Sequence, residues 1–320
     1  LVRSRGLGDV YKRQVQKLLC VYYMNWKYIF AGILFALLWS SAAAATKIAL
    51  QSAQPFVIAV VRFSVAGLGM LLFAHLVLRK RLPQRTEWLP LSIYGLLNIS
   101  IYLGVYVLAM QEVSAGLGSM AVAVNPVFIS VISVLLFKHK MGIQHWLSLL
   151  FCAAGVVIAA WPLLQNSYAT VKGLLLMLVS MLAYSTAALY FAKTKWNDLH
   201  MLTINGWQTL LGGLFLVPFL LLTYKAERNH FDFQFFSGVL WLIVPVSVAA
   251  VQLWLWLLKQ QAVIASYWLF LCPVFGFIIA ALRLHEPISG YTFVGVLFVS
   301  VGLYITQQQK VNMHQTASAK

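Results

Sequence analysis

The chain has 320 residues, of which 62% are hydrophobic and only 9% charged, and its formal net charge is +16. A soluble domain carries about a quarter charged residues, so the composition sets soluble-enzyme readings aside and fits a polytopic membrane protein, whose apolar surface lipid tolerates. The basic residues lie between apolar runs, which excludes nucleic acid as a partner and leaves the lipid bilayer and a small-molecule substrate.

Residues 1–23 precede the first methionine, Met24, and read as a non-native or unstructured leader. Apolar runs of about 20 residues, each long enough to cross a bilayer, then lie near 28–46, 55–78, 88–110, 116–137 and 143–162. A second set lies near 171–192, 202–224, 237–258, 261–282 and 288–307, and the polar segment 309–320 reads as a disordered cytoplasmic tail. The expected fold is therefore all-α, with about ten transmembrane helices joined by short loops. Lys27, "RKRLPQR" at 79–85, "KHK" at 138–140, Lys193, Lys195, Lys259 and Lys310 fall on one side of these spans. The other side carries only Lys47, Lys172, Lys225, Arg228 and Arg283. By the positive-inside rule both termini are cytoplasmic in a cell (inner) membrane. Trp26, Tyr28, Trp88, Trp146 and Trp161 fall near span ends, as interfacial anchors do. Cys20, Cys152 and Cys272 form no metal-ligand spacing, so no metal or other cofactor is expected.

The spans repeat. A shift of 147 positions lays "NPVFISVISVLLFKHKMG" on "CPVFGFIIAALRLHEPIS", with Pro126 on Pro273 and Phe128 on Phe275. A shift of 145 lays "WSSAA" (39–43) on "YSTAA" (184–188) and Gly67 on Gly212. The chain thus reads as an internal duplication with repeats at 24–162 and 163–308. Because five spans is an odd number, the second repeat enters the membrane from the opposite side. Inverted repeats are a transporter architecture with its substrate site near the midplane. Pro126 and Pro273 each remove a helix N–H at equivalent places, a helix break that is tolerated where backbone lines a cavity.

Trp39 in the first span, "VRF" (61–63) in the second, "NPVF" (125–128) in the fourth and "RLHEPIS" (283–289) before the tenth resemble, as an ordered set, the EamA-type branch of the drug/metabolite transporter superfamily. The resemblance covers roughly Trp26 to Thr306. It implies a cytoplasmic-membrane carrier of small metabolites, often an amino-acid exporter, that works by alternating access. That family often has a glutamate at the end of the fourth helix and again at the end of the ninth; here Glu286 keeps the second, and His139 stands at the first.

The candidate substrate-binding residues follow from depth and chemistry. Asn125 is an amide at mid-span, able to donate and accept; a helix–helix hydrogen bond is its structural alternative. Trp39 and Ser40 sit at the depth of Tyr184 in the other repeat, where the two rings could face each other across a cavity or simply pack in the core. Arg62 lies about 10 Å into its span at 1.5 Å per residue, from where it could bind an anionic group or snorkel to the headgroups. Trp207 occupies the place matching Arg62, and Gln208, Gln252 and Trp268 complete an aromatic, amide-rich set suited to a neutral or zwitterionic solute. No acid falls within a span, which disfavours a proton-coupled carrier of cationic drugs; His75 and His145 near span ends are the groups left to titrate. The alternative substrates are phosphorylated metabolites or nucleotide sugars, which need several converging bases. No Ser–His or paired-aspartate constellation supports an intramembrane enzyme, and no soluble domain supports a sensor. Nothing in the chain specifies an oligomeric state.

Overall fold

The computed structural model describes residues 26–136, 143–254, 256–257, 265 and 268–317, with backbone alone for 135–136, 145 and 306–317. The leader, residues 138–140 with His139, Lys259 and Tyr267 lie outside the described residues, as does the side chain of His145.

Among the described residues ten helical spans run in chain order: α1 (Trp26–Leu50), α2 (Pro55–Val77), α3 (Arg85–Ala109), α4 (Ala115–Ala123 continued by Asn125–Leu136), α5 (Ile143–Gln165), α6 (Val171–Lys193), α7 (Met201–Thr223), α8 (Phe233–Trp254), α9 (Trp268–Leu284) and α10 (Gly290–Ala317). Eight are long and apolar enough to cross a membrane; the described part of α9 and the apolar part of α10 are shorter. The chain is a multi-pass helical membrane protein, and its exposed shell of large apolar side chains (Leu76, Leu89, Leu222, Phe233, Phe293) is what lipid tolerates and water does not. Helix α10 continues to Ala317, through most of the segment expected to be a disordered tail. Between Leu303 and Ala317 the sequence has neither Gly nor Pro to stop it.

Loop contacts divide the molecule into two ends. At the terminal end, where α1 begins, Arg81 pairs with Glu87 at 2.7 Å and donates to the carbonyl of Asn197. At the distal end Ser52 donates to Asp232 at 2.9 Å, the Asn229 amide donates to Gln54 at 2.9 Å, and Thr170 and Lys172 both reach Glu112 at 2.8 Å. Apart from Arg81–Glu87, which lies within the α2–α3 connection, each of these links joins connections that an alternating up-and-down path puts on the same side.

The helix contacts obey the repeat. Helices α2 and α7, α4 and α9, and α5 and α10 pack as mates, α1 packs on α9 as α6 packs on α4, and α3 packs on α6 as α8 packs on α1. Exchange of the two halves leaves this scheme unchanged, which is the two-repeat architecture the duplication implies. Small residues permit the approach: a Cβ at Gly155 of α5 would lie 2.6 Å from the Gly295 carbonyl oxygen of α10. The symmetry extends to backbone detail. Both α3 and α8 open into a wide π turn, at Leu96–Ile101 and Leu242–Ala250, and the shift of 147 places Ser100 of one on Ser247 of the other. In α8 the turn contains Pro245, which has no N–H to offer the carbonyl four residues back. The turn in α3 contains no proline, and nothing in the structure explains it.

Candidate functional site

Helix rise locates the middle of the molecule. Counted from the distal end at about 1.5 Å per residue, Arg62, Tyr102, Asn125, Trp39 and Tyr184 all fall roughly 10–20 Å deep in spans that are about 30 Å long. This is the layer in which an inverted repeat places its substrate.

Arg62 is its central feature. The residue is only 6% exposed, so it does not snorkel, and no carboxylate lies against it among the described residues. Its Nε and Nη2 donate to the Ser247 hydroxyl oxygen of α8 at 3.4 and 3.2 Å. Tyr102 and Tyr106 of α3, both buried, lie close enough to interact with it electrostatically. Tyr102 packs its ring on Tyr184 at 4.8 Å, and the Tyr106 hydroxyl lies over Gly118 of α4, so the group spans both repeats. A guanidinium has five N–H donors and no acceptor. A buried charge held only by hydroxyls is costly, and an arriving anion would relieve that cost.

Asn125 begins the second segment of α4, immediately after the interruption at Val124, with Pro126 as its second residue; Pro273 is likewise the third residue of Leu271–Leu284 in α9. Asn125 is 4% exposed, and its Oδ1 has no hydrogen-bond partner among the described residues. An unsatisfied acceptor is costly in low dielectric, which makes it a candidate seat for an ammonium group. The helix–helix hydrogen bond that was its structural alternative is not made by this oxygen.

The remaining expected residues separate. Trp39 packs on Phe35 at 5.6 Å, and the Ser40 hydroxyl is spent on the carbonyl of Ala36 in its own helix. Gln208 accepts from Asn98 of α3 at 3.1 Å and is buried beside the layer. Trp207 stands edge-on to Trp88 at 4.7 Å, in an aromatic cluster with Tyr94, Phe191 and Trp196 toward the terminal end. Trp268 covers Gly32 and Tyr28 near the start of α1. Gln252 is exposed. His75 places its Nδ1 2.9 Å from the Lys80 carbonyl oxygen. Two acids at span ends are buried after all: Glu87 under Arg81, and Glu286 against the start of α4.

Sequence reasoning missed Tyr94, Tyr102, Tyr106 and Ser247. The signal was present as Tyr94–Asn98–Tyr102–Tyr106, a polar stripe at four-residue spacing along one span. In a regular helix that spacing drifts around the axis; the wide turn at Leu96–Ile101 turns the chain back and keeps the stripe aligned. A metal-binding group of His, Cys, Asp and Glu is not found among the described residues.

Fold and site together define a two-repeat, multi-pass membrane protein with a polar layer at mid-depth between its halves. Residues 26–161 and 171–307 each match the EamA-like transporter family, and the chain belongs to that family. It is 26% identical over 278 residues to an uncharacterized transporter of Archaeoglobus fulgidus, covering 85% of this chain and 95% of that one. It is 24% identical to the uncharacterized transporter YoaV of Bacillus subtilis (84% and 92% covered) and 27% identical to protein PecM of Dickeya dadantii (81% and 84%). A solved crystal structure of another protein superposes with a TM-score of 0.62 over 90% of this chain and 98% of the other; at 16% identity it shows the fold alone. Family and relatives make the chain a membrane transporter.

Proposed function

We propose that the chain carries small zwitterionic metabolites, amino acids foremost, and exports them across the cell (inner) membrane by alternating access between repeats 24–162 and 163–308. The observation that carries this reading is the buried Arg62 guanidinium with no carboxylate against it among the described residues. A substrate carboxylate supplies the missing charge, and the Asn125 Oδ1 offers an acceptor for the ammonium group. Arg62 has Trp207 at its repeat-related position, so charge recognition is one-sided, as a substrate with a single carboxylate requires. Phosphorylated solutes need more converging bases, and Lys47, the next base along the sequence toward the N-terminus, lies within electrostatic reach of Glu286. Basic loops at the terminal end support cytoplasmic termini.

The test is release from liposomes containing the full chain and loaded with labelled amino acids, phosphosugars or cationic dyes, with and without an imposed proton gradient. Release of amino acids that Arg62→Gln lowers at least tenfold supports the reading. Movement of phosphosugars or dyes without amino acids, or an Arg62→Gln variant as active as the parent, overturns it.

A further inference from the structure

We infer that Ser247 is a positioning residue that fixes which edge of Arg62 meets the substrate carboxylate; the inference rests on the functional reading above. A serine hydroxyl has one hydrogen and two lone pairs. Ser247 donates its hydrogen to the Leu242 carbonyl oxygen at 2.8 Å, five residues back, so toward Arg62 its oxygen can only accept. It accepts from Nε and Nη2, which pins one side of the guanidinium. The end-on edge, with Nη1 and the second Nη2 hydrogen, has no acceptor among the described residues. Two parallel N–H groups on that edge match a carboxylate in bidentate fashion, a geometry that a point charge such as lysine does not reproduce.

The wide turn in α8 is what makes the arrangement. In a regular helix a serine hydroxyl bonds the carbonyl three or four residues back. Here the widened turn offers the fifth carbonyl and turns the oxygen toward α2. The repeat-related Ser100 sits in the matching turn of α3 and donates instead to the Gly212 carbonyl oxygen of α7 at 2.7 Å. Both serines thus tie a wide turn to the α2–α7 pair, but only Ser247 meets a charge. The same backbone device ties α3 to α7 through a backbone carbonyl in one place and aims a guanidinium between α8 and α2 in the other.

The experiment uses the full chain in liposomes with Ser247→Ala, Ser247→Thr and Arg62→Gln. KM and turnover are measured for the L-amino acid the parent protein releases fastest and for the amide of that amino acid. With Ser247→Ala, KM for the amino acid is expected to rise about tenfold while KM for the amide and the turnover of both stay near the parent values. Ser247→Thr, which keeps the hydroxyl, restores the amino-acid KM. Should Ser247→Ala not fold, Ser247→Cys replaces it with the same reading. If Arg62→Gln abolishes discrimination between acid and amide but Ser247→Ala leaves it intact, the positioning role is wrong and the functional reading stands. If Arg62→Gln leaves discrimination intact, or no amino acid is released, the functional reading fails and this inference with it.

Discussion

The Glu286 carboxylate caps α4 from the opposite repeat: Oε1 accepts the backbone N–H of Ala115 at 2.7 Å and Oε2 that of Gly116 at 3.2 Å. The Ser114 hydroxyl takes the next donor, Leu117, and the Ser114 carbonyl takes Gly118. Three of the N–H groups that a helix start leaves over, those of Ala115, Gly116 and Leu117, are therefore satisfied, two of them by one residue of the other repeat. Glu286→Ala leaves two buried donors unpaired and is expected to cost about 1–2 kcal/mol. Glu286→Gln keeps an acceptor oxygen and loses less. Thermal unfolding in detergent reads both, and equal midpoints for parent and Glu286→Ala would dismiss the cap.

The tyrosines around Arg62 give a second expectation. Tyr102→Phe and Tyr106→Phe remove hydroxyls while keeping the rings, which pack on Tyr184 and on each other. Each is expected to weaken substrate binding several-fold, about 1 kcal/mol, without lowering the unfolding temperature. Binding measured by the shift of that temperature with added amino acid separates the two effects. An unchanged shift in the double variant would remove both hydroxyls from the site.

These residues also show how far the sequence could lead. The duplication was legible because proline and glycine recur at fixed offsets for backbone reasons, and side-chain drift does not erase them. The depth of Arg62 was legible from helix rise, but its environment was not. Whether it snorkels depends on Ser247, and the register of Ser247 is set by a wide turn that no hydrophobic pattern records. Asn125 was legible because proline marks the break beside it. Trp207 was chosen by symmetry with Arg62, and the structure places it in an aromatic cluster, because the repeats share a backbone and not a chemistry. Glu286 looked like an acid at a span end; its partner lies in the other repeat, beyond the reach of local reading.

Loop contacts at the distal end predict a pH dependence. Asp232 accepts from the Phe235 N–H and from Ser52, and these bonds hold its carboxyl below the usual aspartate range. A carboxyl with a lowered folded-state pKa contributes stability that is complete above its unfolded-state value and is lost as pH falls through the folded-state one. Asp232→Asn is therefore expected to unfold earlier than the parent at neutral pH, and the gap between the two should close on acidification below the ordinary aspartate range. A gap that stays constant from neutral to acid pH would show that the Asp232 charge does not matter.

Close packing of α5 on α10 sets a steric prediction. A methyl group at Gly155 meets backbone of Gly295 and Val299 at 2.6–2.9 Å, which cannot yield as a flexible side chain would. Gly155→Ala is expected to cost about 1–3 kcal/mol as overpacking does. At Gly69, in the middle of α2, a Cβ meets nothing within 4 Å. Gly69→Ala should therefore gain the helix preference of alanine, up to about 1 kcal/mol. Unfolding midpoints moving in opposite directions confirm the contrast; a harmless Gly155→Ala would mean the two helices stand further apart.

Asn125 offers the sharpest separation of fold from function. Its Oδ1 is buried and has no partner among the described residues, so this oxygen is a burden on stability. Removing an unsatisfied polar group in favour of an apolar one of similar size is neutral or stabilising, by up to about 1–3 kcal/mol. Asn125→Leu is therefore expected to unfold at the same temperature as the parent or higher, while releasing amino acids from liposomes at least tenfold more slowly. A purely structural asparagine predicts the reverse, with stability falling and transport surviving in whatever protein remains folded. Functional groups are held at some cost to the fold when a substrate repays it on binding, and Asn125 beside its helix break has that form: an acceptor that nothing in the described protein satisfies, at the depth where the buried guanidinium also lacks its counter-charge.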